Sequence, residues 1–139
     1  MIRARERIIL VVLSVRIVMA NVLIIEDDPV IRSMYTTALK KRGHQVEEAR
    51  NSEEGLESLA IARPDVIILD ILMPGSDGIT FLKTADIAHE HPGTKVVAAS
   101  NVETPDLVRE LQKQKVDRYI LKAEYTPYQI ADLVQELVG

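Results

Sequence analysis

The sequence contains no cysteine and no tryptophan, and it has only one phenylalanine and three histidines among 139 residues. Without cysteine, the chain can form no disulfide framework, no zinc–thiolate site and no cysteine nucleophile. No apolar run approaches the roughly 20 residues that a membrane-spanning helix requires. The net charge of −4 argues against the clustered basic surface that a nucleic acid ligand requires. These absences favour a cytoplasmic domain with no direct nucleic acid partner and no stable membrane insertion.

The first eighteen residues differ in character from the rest of the chain. They carry four arginines against one glutamate, and an apolar run over residues 8–15 is interrupted by Arg16. The run is too short to span a bilayer, and no convincing small-x-small cleavage site follows it. We interpret residues 1–18 as an N-terminal extension of unclear status, most simply a non-essential or misassigned stretch before a start at Met19. An added helix or strand and a targeting segment are the alternatives.

Five short apolar runs recur along residues 19–139 and predict β-strands. Except for the weaker second run, they are rich in Val and Ile without polar alternation, which is typical of parallel strands covered on both faces. Their positions are residues 22–25, 45–48, 66–69, 96–99 and 119–121. Helical patterns separate the runs, so the sequence predicts an α/β fold: a doubly wound five-stranded parallel sheet with five helices in a three-layer α/β/α sandwich. We expect one domain, with no output domain attached after the fifth helix.

Helix boundary signals support this alternation. A capping residue followed by proline, which is typical of the first turn of a helix, occurs at Asp28–Pro29, Thr104–Pro105 and Thr126–Pro127. Asn51 with Glu54 three residues later resembles a capping box for the second helix. Met34, Ala38 and Leu39 predict the apolar face of the first helix.

Chemically active side chains follow the predicted strands at the point where each strand ends. The carboxyl ends of parallel strands meet at one edge of the sheet, where ligands bind in this type of fold. The residues there are Glu26, Asp27 and Asp28 after the first strand, Asp70 after the third, Ser100 after the fourth and Lys122 after the fifth. Carboxylates packed together repel one another unless a cation lies among them, and a set of oxygen ligands favours Mg²⁺. The pattern predicts a magnesium–phosphate site, in which Asp28 is only a helix cap.

Four pieces of sequence at this edge resemble one protein family. They are residues 25–29 (Ile-Glu-Asp-Asp-Pro) with Arg32, residues 69–74 (Leu-Asp-Ile-Leu-Met-Pro) with Gly78, Ser100 at thirty residues after Asp70, and residues 119–122 (Tyr-Ile-Leu-Lys). In this order and spacing they resemble the response-regulator receiver domains of two-component signalling, the CheY-like family, over residues 21–139. The resemblance implies a flavodoxin-like fold with strand order 2-1-3-4-5.

The resemblance also implies how the acidic residues act. Asp70 matches the phosphoryl acceptor of the family. Glu26 and Asp27 match the acid pair that holds Mg²⁺, together with Asp70 and the backbone carbonyl of Leu72. Mg²⁺ is therefore the cofactor that the resemblance implies.

The remaining matches concern catalysis and signalling. Lys122 and Ser100 match the two catalytic residues that contact the phosphoryl group, and Ser100 with Tyr119 matches the switch pair. The implied function is a stand-alone receiver that takes a phosphoryl group from a sensor histidine kinase or a histidine phosphotransfer protein. It would signal to an unidentified downstream protein through the face of the fourth helix, fifth strand and fifth helix. We expect no enzyme activity beyond its own phosphorylation and dephosphorylation.

Three residues depart from the commonest family pattern. Ala123 follows Lys122 where many relatives have proline, so we expect no cis peptide bond there. Asn101 stands beside Ser100 where a small alanine is frequent, and its bulk is expected to narrow access to the site. Leu72 is apolar and is expected to shield the acyl phosphate from water, which predicts slow dephosphorylation. The three histidines lie outside the strand-end set and are interpreted as surface residues: His44, His89 and His91.

Two other classes of protein remain as alternatives. A degenerate receiver would bind partners without phosphorylation, although the intact acids, Ser100 and Lys122 argue against it. A phosphatase of the haloacid dehalogenase type also uses an aspartate nucleophile and Mg²⁺, but it has a general acid two residues after the nucleophile. Leu72 occupies that position here and cannot transfer a proton.

Overall fold

The computed structural model describes residues 19–139, so the predictions for residues 1–18 lie outside the described residues. The main elements are β1 (Asn21–Ile25), α1 (Pro29–Lys41), β2 (Gln45–Ala49), α2 (Ser52–Ala62), β3 (Val66–Asp70), α3 (Gly78–Ala85), β4 (Lys95–Ser100), α4 (Pro105–Lys113), β5 (Arg118–Leu121) and α5 (Pro127–Val138). Shorter elements are a hairpin of Leu72–Met73 with Ser76–Asp77, a one-turn helix at Ile87–Glu90 and a 3₁₀ helix at Lys122–Glu124. In this part of the chain no helix is both long and apolar enough to cross a membrane.

The five strands form one parallel sheet in the order β2-β1-β3-β4-β5, which confirms the predicted topology. Strand β1 is paired on both sides: Val22 lies opposite Val46 of β2 and opposite Val66 of β3. Each crossover helix returns the chain to the same end of the sheet, so the carboxyl ends of all five strands share one edge. We call this the carboxyl edge and the opposite end of the sheet the amino edge.

Helices cover both faces of the sheet, which explains why the strands are apolar without alternation. Successive strand residues point to opposite faces, so Leu23 and Val22 belong to different hydrophobic clusters. The first cluster packs against α1 and α5 and includes Val22, Ile24, Ile68, Leu39, Ile130 and Val134. The second packs against α2, α3 and α4 and includes Leu23, Ile67, Leu69, Leu59, Phe81 and Leu111.

The helices begin at the predicted capping residues. The Asp28 carboxylate accepts hydrogen bonds from the backbone N–H groups of Val30 and Ile31 at 2.8 and 3.2 Å. Thr126 and Gln129 form a reciprocal capping box at the start of α5. At α2 the side chain of Asn51 accepts from the Glu54 N–H at 2.9 Å, while Glu54 accepts from the N–H of Arg50 rather than that of Asn51. These caps hold each helix start beside the carboxyl edge.

Three details differ from the sequence-based predictions. Met34 is half exposed, because the buried stripe of α1 is formed by Tyr35, Ala38 and Leu39. His44 is buried rather than on the surface, since the chain turns back at Gly43, where φ is +89°, and brings the imidazole against the start of β1. The third helical segment is divided in two at Asp86, where φ is +47°.

Candidate functional site

Three predicted acidic residues meet at the carboxyl edge. Glu26 and Asp70 are only 2% and 3% exposed, because they directly follow or end buried strands, and Asp27 lies more toward solvent. One carboxylate oxygen from each of the three residues lies within 4.8 Å of the others. Three hard oxygen donors at this spacing fit a divalent cation such as Mg²⁺ better than they fit a softer metal. The structure therefore brings together the predicted acidic ligand set.

Lys122 bridges two of these carboxylates. It follows β5, its side chain is 9% exposed, and its Nζ donates a hydrogen bond to Oε2 of Glu26 at 2.9 Å. The same Nζ lies 3.1 Å from Oδ2 of Asp70. Burial acts to lower the pKa of Lys122, but the hydrogen bond to Glu26 and the charges of Asp70 and Glu26 outweigh it and raise that pKa. The lysine is therefore held in its charged form within the site.

The surroundings of Asp70 disfavour its ionised form. Burial and the neighbouring charge of Glu26 raise the pKa of Asp70 to about 7, although the Lys122 ammonium opposes this shift. One ammonium group thus compensates only part of the charge of three adjacent carboxylates. A bound divalent cation would relieve this repulsion and favour the ionised form of Asp70.

The backbone around Asp70 is closely packed. The N–H of Leu72 lies 3.3 Å from Oδ1 of Asp70, and the Leu72 side chain is 55% exposed at the rim of the site. Gly78 donates its N–H to the carbonyl oxygen of Ile71 at 2.9 Å. A Cβ atom at Gly78 would lie only 2.8 Å from the carbonyl oxygen of Asp70, so the start of α3 requires glycine here. The role of the Leu72 carbonyl as a metal ligand stays a prediction.

Ser100 and Tyr119 are linked through the loop that follows β4. Ser100 is fully buried at the end of β4, and its Oγ accepts a hydrogen bond from the N–H of Val102 at 3.2 Å. The half-buried Tyr119 donates its hydroxyl to the carbonyl oxygen of Val102. Burial raises the pKa of the Tyr119 hydroxyl, a hydrogen bond with Ser100 opposes this, and the charge of Glu103 adds to it. The structure thus joins the two predicted switch residues through Val102.

Other predicted features fall beside the site. Asp28 caps α1, as expected, and the described residues contain no cis peptide bond, which agrees with the prediction at Ala123. Asn101 is exposed in the loop after Ser100. Sequence reasoning assigned no role to Arg32, although it belongs to one of the matching motifs. Its side chain is largely buried and contacts the backbone of Glu26.

Comparison with known proteins agrees with this geometry. A family model described as the response regulator receiver domain matches residues 22–137. The KDP operon transcriptional regulatory protein KdpE of Escherichia coli is 35% identical over 119 residues, which cover 86% of this chain and 50% of KdpE. The chemotaxis protein CheY of Thermotoga maritima is 31% identical over 118 residues, which cover 84% of this chain and 93% of CheY.

Solved structures show the same fold. The signal receiver domain of a signal transduction histidine kinase from Syntrophus aciditrophicus superposes with a TM-score of 0.75 at 28% identity, covering 86% of this chain and 89% of that one. A CheY-like receiver domain protein from Methanospirillum hungatei superposes with a TM-score of 0.78 at 23% identity, covering 87% of this chain and 94% of that one.

The shared region differs in its share of each relative. The chain spans half or less of the length of the transcriptional regulators that it matches, among them KdpE and CseB of Streptomyces coelicolor. It spans nearly all of the Thermotoga CheY. The family model and these identities show that the chain belongs to the response regulator receiver domain family.

Proposed function

We propose that this receiver domain accepts a phosphoryl group on Asp70 in a Mg²⁺-dependent reaction, with a sensor histidine kinase or a histidine phosphotransfer protein as the donor. The observation that carries the proposal is the cluster of Glu26, Asp27 and Asp70 with Lys122 bridging two of its members. We further propose that the domain acts in the cytoplasm and signals by contact with a protein partner. Proteins of this family generally act as phosphoryl acceptors.

Each residue of the cluster has a distinct task in the proposed transfer. A Mg²⁺ ion bound by Glu26, Asp27, Asp70 and the carbonyl of Leu72 would neutralise charge on the phosphoryl oxygens. A carboxylate oxygen of Asp70 forms the new bond to phosphorus while the bond from phosphorus to the donor nitrogen breaks. The Lys122 ammonium then releases Asp70 and pairs with the phosphoryl group, which is why its raised pKa matters.

Ser100 and Tyr119 would carry the signal away from Asp70. Ser100 ends the strand next to β3, one residue after Ala99, which lies opposite Asp70, and its hydroxyl would donate to a phosphoryl oxygen on Asp70. Movement of the Ser100 hydroxyl toward the phosphoryl group would break the hydrogen bond that it accepts from the Val102 N–H. Tyr119 donates its hydroxyl to the carbonyl oxygen of the same residue. The loop and the Tyr119 ring then change position together, which alters the face formed by α4, β5 and α5.

Incubation with acetyl phosphate and Mg²⁺, followed by intact mass measurement, tests the proposal. We expect a mass gain of one phosphoryl group that is lost in Asp70→Asn and when Mg²⁺ is chelated. Asp132→Asn is the matched control, because Asp132 is an exposed aspartate on α5 with a salt bridge to Arg42. A chain that stays unmodified would be a degenerate receiver, and rapid turnover of phosphate esters would indicate a phosphatase. Either result contradicts the proposal.

A further inference from the structure

Arg32 contacts the backbone of the acidic loop, which we define as residues 26–28 after β1. It is in the first turn of α1, and its side chain is 14% exposed. Its Nη1 donates a hydrogen bond to the carbonyl oxygen of Glu26 at 2.7 Å and lies 3.4 Å from the carbonyl oxygen of Asp27. Both carbonyl groups lie just beyond the end of β1, where the N–H of Glu26 still donates to the carbonyl oxygen of Ala49 in β2 at 3.0 Å. The guanidinium therefore holds the carbonyl groups of this segment, while β2 holds the N–H of Glu26.

The other side of the guanidinium is held by β2. Its Nε lies 3.7 Å from Oε1 of Glu48, and that same oxygen accepts a hydrogen bond from the Thr36 hydroxyl at 3.0 Å. Glu48 is fixed in register with Ile24 of β1. The planar fork of an arginine holds several donor nitrogens in a fixed geometry, so that Nε can face a carboxylate while Nη1 bonds carbonyl groups, whereas a lysine has one donor nitrogen on a flexible stem. Arg32 is thus oriented by two secondary-structure elements before it reaches the acidic loop.

We propose that Arg32 is a positioning residue for the metal site: it fixes the Glu26–Asp27 backbone so that both carboxylates face the bound cation. This inference rests on the proposed function, since it requires that the site binds Mg²⁺. Fixed ligands lose less conformational freedom on binding, so a loop held in advance binds the cation more tightly. Arg32 acts through the peptide group, without contact between its guanidinium and the cation.

The sign of the effect separates this role from simple electrostatics. Arg32 is a cation next to a cation site, so charge alone predicts that its removal tightens Mg²⁺ binding. A positioning role predicts the opposite, because the freed loop must be ordered again when the ion binds. Arg50 provides a matched control. It is a cation at the carboxyl end of β2, its side chain is 71% exposed, and its contacts are with Glu54.

Titration of the full chain with Mg²⁺ in a calorimeter tests the inference on wild type, Arg32→Ala, Arg32→Lys and Arg50→Ala. We expect Arg32→Ala to raise the Kd for Mg²⁺ by about tenfold. Arg32→Lys keeps the charge but replaces the fixed fork with one nitrogen on a flexible stem, so its Kd is expected to lie between those of Arg32→Ala and wild type. Arg50→Ala should match wild type or bind slightly more tightly. Thermal unfolding of each variant without Mg²⁺ shows whether the fold is intact.

Several outcomes would overturn the inference. If Arg32→Ala lowers the Tm but leaves the Kd unchanged or tighter, Arg32 is only structural. If Arg32→Ala does not fold, Arg32→Lys decides alone, and a Kd equal to that of wild type contradicts a positioning role. Failure of the proposed function looks different, because wild type itself would then bind no Mg²⁺ and take no phosphoryl group from acetyl phosphate.

Discussion

The two edges of the sheet both bury titratable groups, but they do so in opposite ways. At the carboxyl edge Glu26 and Asp70 are buried beside Lys122, whose Nζ contacts both carboxylates. At the amino edge His44 is 4% exposed, its Nδ1 accepts the N–H of Ala20 at 3.1 Å, and its Nε2 has no hydrogen-bond partner. The first edge concentrates charge, whereas the second keeps a neutral ring within packed surroundings. Only the first arrangement can attract an ion or a phosphoryl group.

The difference extends to the response of stability to pH. Asp70 has a raised pKa of about 7, so the folded state holds its proton more tightly than the unfolded state does. Its contribution favours folding at low pH and is lost as pH rises through about 7. Burial lowers the pKa of His44, so the unfolded state takes up a proton more readily. That contribution is present above the usual pKa of histidine and is lost as pH falls.

The largest expected effect comes from Lys122→Met. This substitution leaves two buried carboxylates without a cation, which should lower the free energy of unfolding by about 3 kcal/mol at pH 8 in the absence of Mg²⁺. The loss should be smaller at pH 5, because a protonated carboxyl group needs no partner. Urea unfolding at the two pH values measures it. Lys40→Met, at an exposed lysine of α1, is the control, and an equal loss in both variants would contradict the charge argument.

Asp70→Asn should act in the opposite direction. Removal of the carboxylate with the raised pKa should stabilise the Mg²⁺-free protein by about 2 kcal/mol at pH 8, because Lys122 keeps Glu26 as its partner. The gain should shrink toward pH 4, and added Mg²⁺ should raise the Tm of wild type more than that of the variant. Thermal unfolding with and without Mg²⁺ checks this. A variant less stable than wild type at pH 8 would show that the ionised Asp70 carboxylate does not destabilise the folded state.

Leu72 tests how far the carboxyl edge is open to water. We expect Leu72→Asn to shorten the lifetime of the phosphorylated form by about fivefold, equivalent to about 1 kcal/mol in activation free energy, because a polar side chain admits water to the acyl phosphate. Loss of phosphate after removal of the donor, followed by intact mass, gives the lifetime. Leu72→Met keeps an apolar rim and should behave as wild type. An unchanged lifetime in Leu72→Asn would refute the shielding role.

The smallest expected effect is at the amino edge. His44→Asn keeps an acceptor for the N–H of Ala20 but cannot take up a proton. As pH falls below about 6.5, the variant should therefore lose less free energy of unfolding than wild type does. Urea unfolding between pH 7 and pH 5 measures the difference in slope. His91→Asn, at a partly exposed histidine, should keep the wild-type slope. Equal slopes in wild type and His44→Asn would show that His44 does not contribute.

The sheet was predictable because both of its faces are buried. The predicted runs agree with β1 and β4 because an apolar sequence is required wherever helices cover the sheet. Strand β1 begins one residue earlier and β4 extends one residue further at each end, and these added residues are polar: Asn21, Lys95 and Ser100. The acidic cluster was predictable for a related reason: parallel strands necessarily bring their following residues to one edge. The burial of Glu26 and Asp70 follows from that placement.

Other features depend on contacts that residue types do not encode. Arg32 contacts backbone carbonyl groups, which every residue possesses, so its motif position alone could not indicate its partners. The burial of His44 depends on how the turn at Gly43 meets Ala20, residues far apart in sequence. The division of the third helical segment depends on the left-handed backbone of Asp86, a conformation that aspartate adopts only in some contexts.

The contact between Gly78 and the backbone of Asp70 also limits how this domain can vary. With a Cβ atom 2.8 Å from both the carbonyl oxygen of Asp70 and Cα of Ile71, any other amino acid would displace the backbone of Asp70 and Ile71 or the start of α3. A library randomised at this codon and selected for function should return glycine almost alone. Engineers who transplant Asp70 and the loop that follows it into another scaffold therefore have to carry the start of α3 with them as one inseparable unit.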